Sequence, residues 1–225
     1  MSSSVPIHTI KVWDRFVRFF HWALVISFAA SYWTSQSGMQ DAHIVLGYFI
    51  FGLVMARIVW GFAGSPYARF SNFVYSPRTV LDYLKVIGLG RPHYYPGHNP
   101  AGGMMVIALL SALTFATVAG FIVMMVIEFE APLPGLMIHM SDEHAYFWRE
   151  LHETTIDVLL VMIAFHLLGV MLASIQHREN LVRAMITGVK QQSKEPSMCR
   201  HSGPLFSQGQ AARSGERESS KPLNL

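Results

Sequence analysis

The sequence predicts an all-α fold: an integral-membrane four-helix bundle with both termini cytoplasmic. Three observations carry that reading. Hydrophobic residues make up 52% of the 225-residue chain and charged residues only 14%, well under the roughly one quarter charged of ordinary globular domains. The apolar residues gather into four long runs, about 16–34, 43–62, 102–127 and 154–175, each near the ~20 residues a helix needs to cross a bilayer core. Basic residues then gather on one side. Lys11, Arg15 and Arg18 precede the first run, Arg69, Arg78, Lys85 and Arg91 sit between the second and third, and Arg178, Arg183 and Lys190 follow the fourth. Lys and Arg mark cytoplasmic segments. The opposite side has the short "SQSGMQD" and the loop 128–150, where Glu128, Glu130, Asp142, Glu143 and Glu150 face a lone Arg149. The net charge of +3 therefore reflects topology, and no nucleic-acid partner is expected.

Each element follows in order. The first span has no strongly basic segment ahead of it, so "SFAAS" is read as part of an uncleaved helix and not as the end of a signal peptide. In the link 63–101, Pro66, Pro77, Pro92, Pro96 and Pro100 break the chain, yet "PRTVLDYLKVIGLG" has helical spacing, with Pro at its first turn and Gly beyond its end. A short amphipathic helix along the inner interface is expected there, between spans two and three. Past about residue 190 the composition turns to Ser, Gln, Gly, Lys, Arg and Pro, which bury too little apolar surface to fold. The expected organisation is a transmembrane domain, 1–190, and a disordered cytoplasmic tail, 191–225. The single cysteine, Cys199, lies in that tail, and no C-x-x-C-H occurs; disulfides, cysteine-bound clusters and covalent c-type haem are excluded.

Of the eleven histidines, His21, His43, His152 and His166 fall in or at the spans. An imidazole in a span needs a partner, because ionisable groups there face the bundle interior. Span one runs outward, and spans two and four run inward. His21 is then at the inner level, His43 and His152 at the outer level, and His166, fourteen residues beyond His152, at the inner level again. Fourteen residues bring a side chain back to within about 40° of the same face and ~21 Å along the axis. Two histidine pairs stack across the membrane, His43 with His152 and His21 with His166. Facing imidazoles with a flat cofactor between them are what bis-histidine haem ligation requires. Such a haem moves electrons and leaves no axial site open for gas or substrate.

Arg57 follows His43 by fourteen residues, on the same face at the inner level. A buried arginine needs compensation, and haem propionates would take its bidentate hydrogen bonds. Arg15 and Arg18 are placed at the same inner site. Gly47, four residues after His43, Gly120 and Gly169 would let a macrocycle approach a helix, although small residues also pack helices in membranes. His98 in "YPGHNPAGG" is a cap or hydrogen-bond partner, with proton handling at a quinone site as the lesser reading. Competing with haem are a haem-free Cu or Zn transporter or sensor using His139, Met140 and His144, because thioethers suit Cu(I), and a plain membrane anchor. Two ligand layers separated by an apolar stretch favour haem over a continuous metal path.

"VWDRFVRFFHW", "HIVLGYFIFGLVMARIVWGF", "GHNPAGGMMV" and "LHETTIDVLLVMIAFHLLGVM" together resemble the bacterial cytochrome b561 family, which includes the B-type cytochrome subunits of Ni,Fe-hydrogenases. The resemblance runs over about residues 11–185. It implies a four-helix cytochrome of the bacterial inner membrane, multi-pass, with two non-covalent b haems, carrying electrons between a periplasmic or membrane-bound partner and the quinone pool. The family's axial histidines match His21, His43, His152 and His166, and its arginine and tryptophan near the far end of span two match "RIVW". The implied role is an electron-transfer subunit of a respiratory oxidoreductase, with quinone reduction by the chain itself as the variant. Expected partners are lipid, quinone, a periplasmic c-type cytochrome or respiratory enzyme subunit, and a second copy of the chain.

Overall fold

The first long helix begins at a capped position: the Asp14 carboxylate accepts the Val17 N–H at 2.8 Å, which satisfies one orphan donor of helix α1 (Arg15–Gln36). The computed structural model describes residues 8–88, 95, 97–127, 142–177 and 179–192, and residues 9–192 form one compact unit. The turn after α1 uses Gly38 at φ +70°, a left-handed backbone that glycine adopts without strain. Helix α2 (Gln40–Ala63) returns alongside α1. A single 3-10 turn at Phe70–Asn72 leads to the short helix α3 (Pro77–Gly88). There the Thr79 N–H donates to Ser76 Oγ at 3.3 Å and Pro77 takes the first helical position, where its missing N–H costs nothing.

Helix α4 (Pro100–Ile127) starts the same way, with Asn99 Oδ1 accepting the Gly102 N–H at 2.7 Å. It packs against α2, α3 and α5 (Asp142–His177). After α5, Asn180 caps helix α6 (Leu181–Thr187), and Gly188 ends it in the left-handed region at φ +82°. The chain then pairs strand β2 (Val189–Gln192) with β1 (His8–Lys11). Val12 and Trp13 donate their N–H groups to the Gly188 carbonyl at 2.9 and 3.2 Å. A small cluster of Val12, Trp13, Val17, Ala68 and Ala184 closes that end of the bundle.

Among the described residues, three helices are long and apolar enough to cross a membrane, over Gln40–Ala63, Pro100–Met125 and Glu143–Gln176. Helix α1 matches them in length, but Arg18, His21, Ser27, Ser31 and Thr34 make it less apolar. Ser27, Ser31 and Thr34 are buried, while Phe19, Ile26 and Trp33 on the same helix are exposed. Large apolar side chains also face outward on α2 and α5, among them Val45, Val59, Phe62, Phe165, Leu167 and Ile175. Large apolar side chains on the outer surface, with the hydroxyls of α1 turned inward, suit a bundle whose surround is lipid. The core proper is Phe20, Ile50, Val54, Leu110, Leu113, Ala116 and Leu159.

Two expectations need amending. The fold is not purely helical, because the β1–β2 ribbon joins the two ends of the compact unit, where "HTIK" and "VKQQ" are too short and too polar to register as elements on their own. Asp142, Glu143, Arg149 and Glu150 are not in a loop: α5 starts at Asp142 and spans 36 residues, about 54 Å at 1.5 Å per residue. The expectations for Arg91, Glu128, Glu130, His139, Met140, Arg178, Cys199 and the tail from residue 193 lie outside the described residues.

Candidate functional site

Helices α1, α2, α4 and α5 bring His43 and His152 together, with ring centres 6.3 Å apart and planes at 82°. Each ring is oriented through Nδ1. His43 Nδ1 donates to the Ser31 carbonyl at 3.0 Å, with Ser31 Oγ 3.1 Å away. His152 Nδ1 donates to the Ala116 carbonyl at 2.8 Å. A proton held on Nδ1 by a carbonyl leaves Nε2 as the lone-pair nitrogen, which is how a metal-binding imidazole is prepared. The sequence carries a signal for the first of these supports: Ser27, Ser31 and Thr34 form a polar stripe, at helical spacing, within an apolar run. Nothing in the sequence marks a backbone carbonyl such as that of Ala116.

Both rings line a cavity of about 540 Å³, together with Gly47, Ala116, Gly120 and Ile156 among others. A Cβ on Gly47 would meet nothing within 4 Å, whereas one on Gly120 would come within 3.1 Å of His152 Cε1. Gly47 therefore borders open space, and Gly120 lets His152 sit close to α4. Gly169 also borders open space.

Seven residues below His43 is Ile50, and seven below His152 is Leu159; both are buried in the apolar core. Seven further residues on each helix reach Arg57 and His166. His166 and His21 lie within electrostatic reach of one another, and His21 Nδ1 is buried without a hydrogen-bond partner. Arg57 is only 3% exposed. Its Nη2 donates to the Ala68 carbonyl at 3.2 Å, its guanidinium lies 5.4 Å from the centre of the Phe70 ring, and Nη1 is buried with no partner.

Beside this group, His98 is held between Trp13 and Phe73, with ring centres 4.7 Å from each. Its Nδ1 is buried and unpartnered. Enclosure, reinforced by the charges of Arg57, Lys190 and His166, pushes the His98 pKa down to about 3, so the ring is neutral at physiological pH. Lys190 on β2 is itself buried, and burial lowers its pKa although Glu179 partly opposes the shift. The burial of Lys190 was not legible in the sequence, where it reads as one more cytoplasmic charge.

Arg15 and Arg18 line a different cavity, an apolar groove between α1 and α2 with Phe19, Trp22, Leu46 and Phe49. Arg18 Nη1 donates to the Ile186 carbonyl at 2.7 Å, tying α1 to α6. Asp14 performs the complementary tie to α2, accepting from Trp60 Nε1 at 3.0 Å and Ser65 Oγ at 2.5 Å. His144 is exposed on the first turn of α5. Among the described residues, no three or more His, Cys, Asp or Glu side chains converge on a metal position.

The donor set fits haem iron at the His43–His152 end. A nitrogen–metal bond is about 2 Å, and with about 1 Å from each nitrogen to its ring centre, two axial imidazoles have centres about 6 Å apart. At the other end, His21 Nδ1, Arg57 Nη1 and His98 Nδ1 find no hydrogen-bond partner among the described residues, and buried polar atoms are ordinarily paired.

Comparison with known proteins agrees with this chemistry. Residues 12–188 match the family described as prokaryotic cytochrome b561. Among curated proteins, the chain is similar to a "Probable Ni/Fe-hydrogenase B-type cytochrome subunit" of Rhizobium leguminosarum bv. viciae, 25% identical over 220 residues that cover 82% of this chain and 90% of the relative. No solved structure matches. With three apolar helices long enough to cross a membrane and a family match over most of its length, the chain belongs to the prokaryotic cytochrome b561 family and is a membrane b-type cytochrome of electron transfer.

Proposed function

We propose that the chain is a di-haem cytochrome that carries electrons across the bacterial inner membrane, between a periplasmic or membrane-bound redox partner and the quinone pool. In this reading α1, α2, α4 and α5 are four spans, and the β1–β2 ribbon and both termini lie on the cytoplasmic side. His43 and His152 hold the outer haem and His21 and His166 the inner one. The observation that carries it is the spacing of His43 and His152, 6.3 Å between ring centres; His21 and His166, one apolar layer away and within electrostatic reach of one another, are the proposed second pair. The stripe of Phe19, Ile26 and Trp33, exposed at seven-residue intervals, supports α1 as a lipid-facing span.

A haem held by two imidazoles supplies one-electron transfer and no open coordination site. The remaining work belongs to the chain. The Ser31 and Ala116 carbonyls fix the proton on Nδ1 of His43 and His152 and keep Nε2 available. Ile50, Val54 and Leu159 exclude water from the layer between the two sites. Arg57 offers Nη1 to a carboxylate at the inner level. The relative's name makes it a hydrogenase subunit, and by analogy a respiratory enzyme is the class of partner proposed here. A quinone at the inner surface near His98, and a homodimer, belong to the same proposal.

The test is an oxidised-minus-reduced visible spectrum of the purified chain with haem counted per polypeptide. About two low-spin b haems are expected. No haem would favour a metal transporter or a plain anchor. Replacing His21 or His166 should remove one haem and leave most of the other, and replacing His43 or His152 should do the converse.

A further inference from the structure

We infer that Arg149, near the start of α5, holds the carboxylates of the outer cofactor at the mouth of the cavity that His43 and His152 line; the inference rests on the di-haem reading above. In the sequence Arg149 is a lone basic residue among acidic neighbours. In the fold it lines the same cavity as both histidines, and among the described lining residues it is the single Lys or Arg. It precedes His152 by three residues on α5, which makes the two side chains neighbours on one helix face, about 4.5 Å apart along the axis. Helical side chains lean toward the N-terminus. Arg149 therefore reaches away from the apolar core, toward the end of the bundle where α1 stops at Gln36 and α2 starts at Gln40.

The cavity is polar at that end and apolar at the other. Ser35, Gln36, Gln40 and Arg149 line the first, and Ile50, Leu113 and Ile156 the second; Ile50 and Leu113 belong to the buried core. A flat macrocycle with apolar faces and two carboxylates on one edge fits this gradient in one orientation, with the carboxylates at the polar end. Two acidic residues, Glu153 and Asp157, also line the cavity. Asp157 is eight residues past Arg149, about 12 Å deeper along the axis, where it repels any carboxylate turned inward. Glu153 accepts from Arg149 Nε at 3.0 Å. Both side chains are exposed, so the pair is weak. The bond uses Nε and not the two Nη groups, whose planar fork suits a second carboxylate. Arg57 cannot serve here, because it lies fourteen residues past His43 on α2, about 21 Å deeper.

The test is haem transfer from the full, loaded chain to excess apomyoglobin, with each haem identified by the spectrum of the histidine variants that lack the other. Arg149→Gln should speed loss of the outer haem about tenfold, the scale of one charge-assisted hydrogen bond, and leave the inner haem unchanged. Arg149→Lys, which keeps the charge but not the fork, should fall between. Glu153→Gln removes the ion pair but leaves the arginine, and should not speed loss. Haem dimethyl ester has no carboxylates. In the wild-type chain it should leave the outer site at least as fast as haem leaves Arg149→Gln, and Arg149→Gln should add nothing further to its loss. The wild-type half of that comparison stands even if Arg149→Gln fails to assemble. An unchanged rate in Arg149→Gln, equal acceleration by Glu153→Gln, or ester and haem leaving the wild-type outer site equally slowly would overturn the role of Arg149 and leave the di-haem reading standing. Absence of haem from the wild type would overturn that reading itself.

Discussion

Two glycines of the outer cavity have opposite constraints, and the difference separates packing from cofactor binding. At Gly120 an added Cβ would come within 3.1 Å of His152 Cε1 and 3.3 Å of its Nδ1. The ring has little freedom to yield, because the same Nδ1 is held at 2.8 Å by the carbonyl of Ala116, one helical turn earlier on α4. Gly120→Ala is therefore expected to cost about 1–3 kcal/mol, as overpacking does, and to lower the melting temperature even of haem-free protein. Gly47 meets no atom within 4 Å. Gly47→Leu should fold normally without haem and fail to take up the haem ligated by His43 and His152, retaining the other. Melting curves of the haem-free protein and haem counts of the loaded protein check both outcomes. Equal effects of the two substitutions on haem-free stability would contradict the assignment of the open space to a cofactor.

At the scale of elements, Asp14 joins the start of α1 to the end of α2, accepting from Val17 N–H, Trp60 Nε1 and Ser65 Oγ. Burial acts to raise its pKa, but the hydrogen bonds from Ser65, Val17 and Trp60 outweigh it and hold the carboxyl below its ordinary value. A depressed folded-state pKa stabilises the fold above the unfolded value, and that contribution is lost as pH falls through the folded one. Asp14→Asn should therefore melt below wild type at pH 7, and the gap should close below about pH 4. Asp14→Ala should cost about 1–2 kcal/mol at pH 7 from the lost cap alone, with a further penalty from the unpaired Trp60 and Ser65 donors. A gap between Asn and wild type that persists undiminished to pH 3 would exclude the carboxylate's charge as its source. This tie also shows where sequence reading stops. The long helices were legible because each is a long run of one hydropathy, and α3 because Pro77 and the spacing after it announce it. His152 and His166 were legible as one face of one helix. The β1–β2 ribbon, the inward turn of Lys190 and the clamp at Asp14 were not, because each depends on residues more than forty positions apart whose local patterns are indifferent. Arg18 illustrates the same limit: nothing in the local pattern announces that its guanidinium donates to Ile186, 168 residues away.

For the whole molecule, the distribution of charge and of exposed apolar surface makes a joint statement about orientation. Phe19, Ile26 and Trp33 on α1 and Phe165, Leu167 and Ile175 on α5 face outward, so the helices stand in lipid and each turn between them emerges on one defined side. The ribbon end gathers Arg15, Arg18, Arg69, Lys85 and Arg183, the pattern of a cytoplasmic face. Under the proposed orientation the α1–α2 turn at 37–39 is expected on the periplasmic side and the tail beyond β2 on the cytoplasmic side. The single cysteine of the chain, Cys199, makes this directly testable. In intact spheroplasts a membrane-impermeant maleimide should leave Cys199 unlabelled until the membrane is opened. In a Cys199→Ser background, Gln36→Cys should label without opening, because Gln36 is exposed at the end of α1. Labelling of Cys199 from outside, together with protection of the thiol introduced by Gln36→Cys, would invert the bundle and put the His43–His152 pair toward the cytoplasm. Labelling of both from outside would mean that α2, α4 and α5, the helices between the two positions, do not cross an odd number of times, and the pairing of histidines by depth would have no basis.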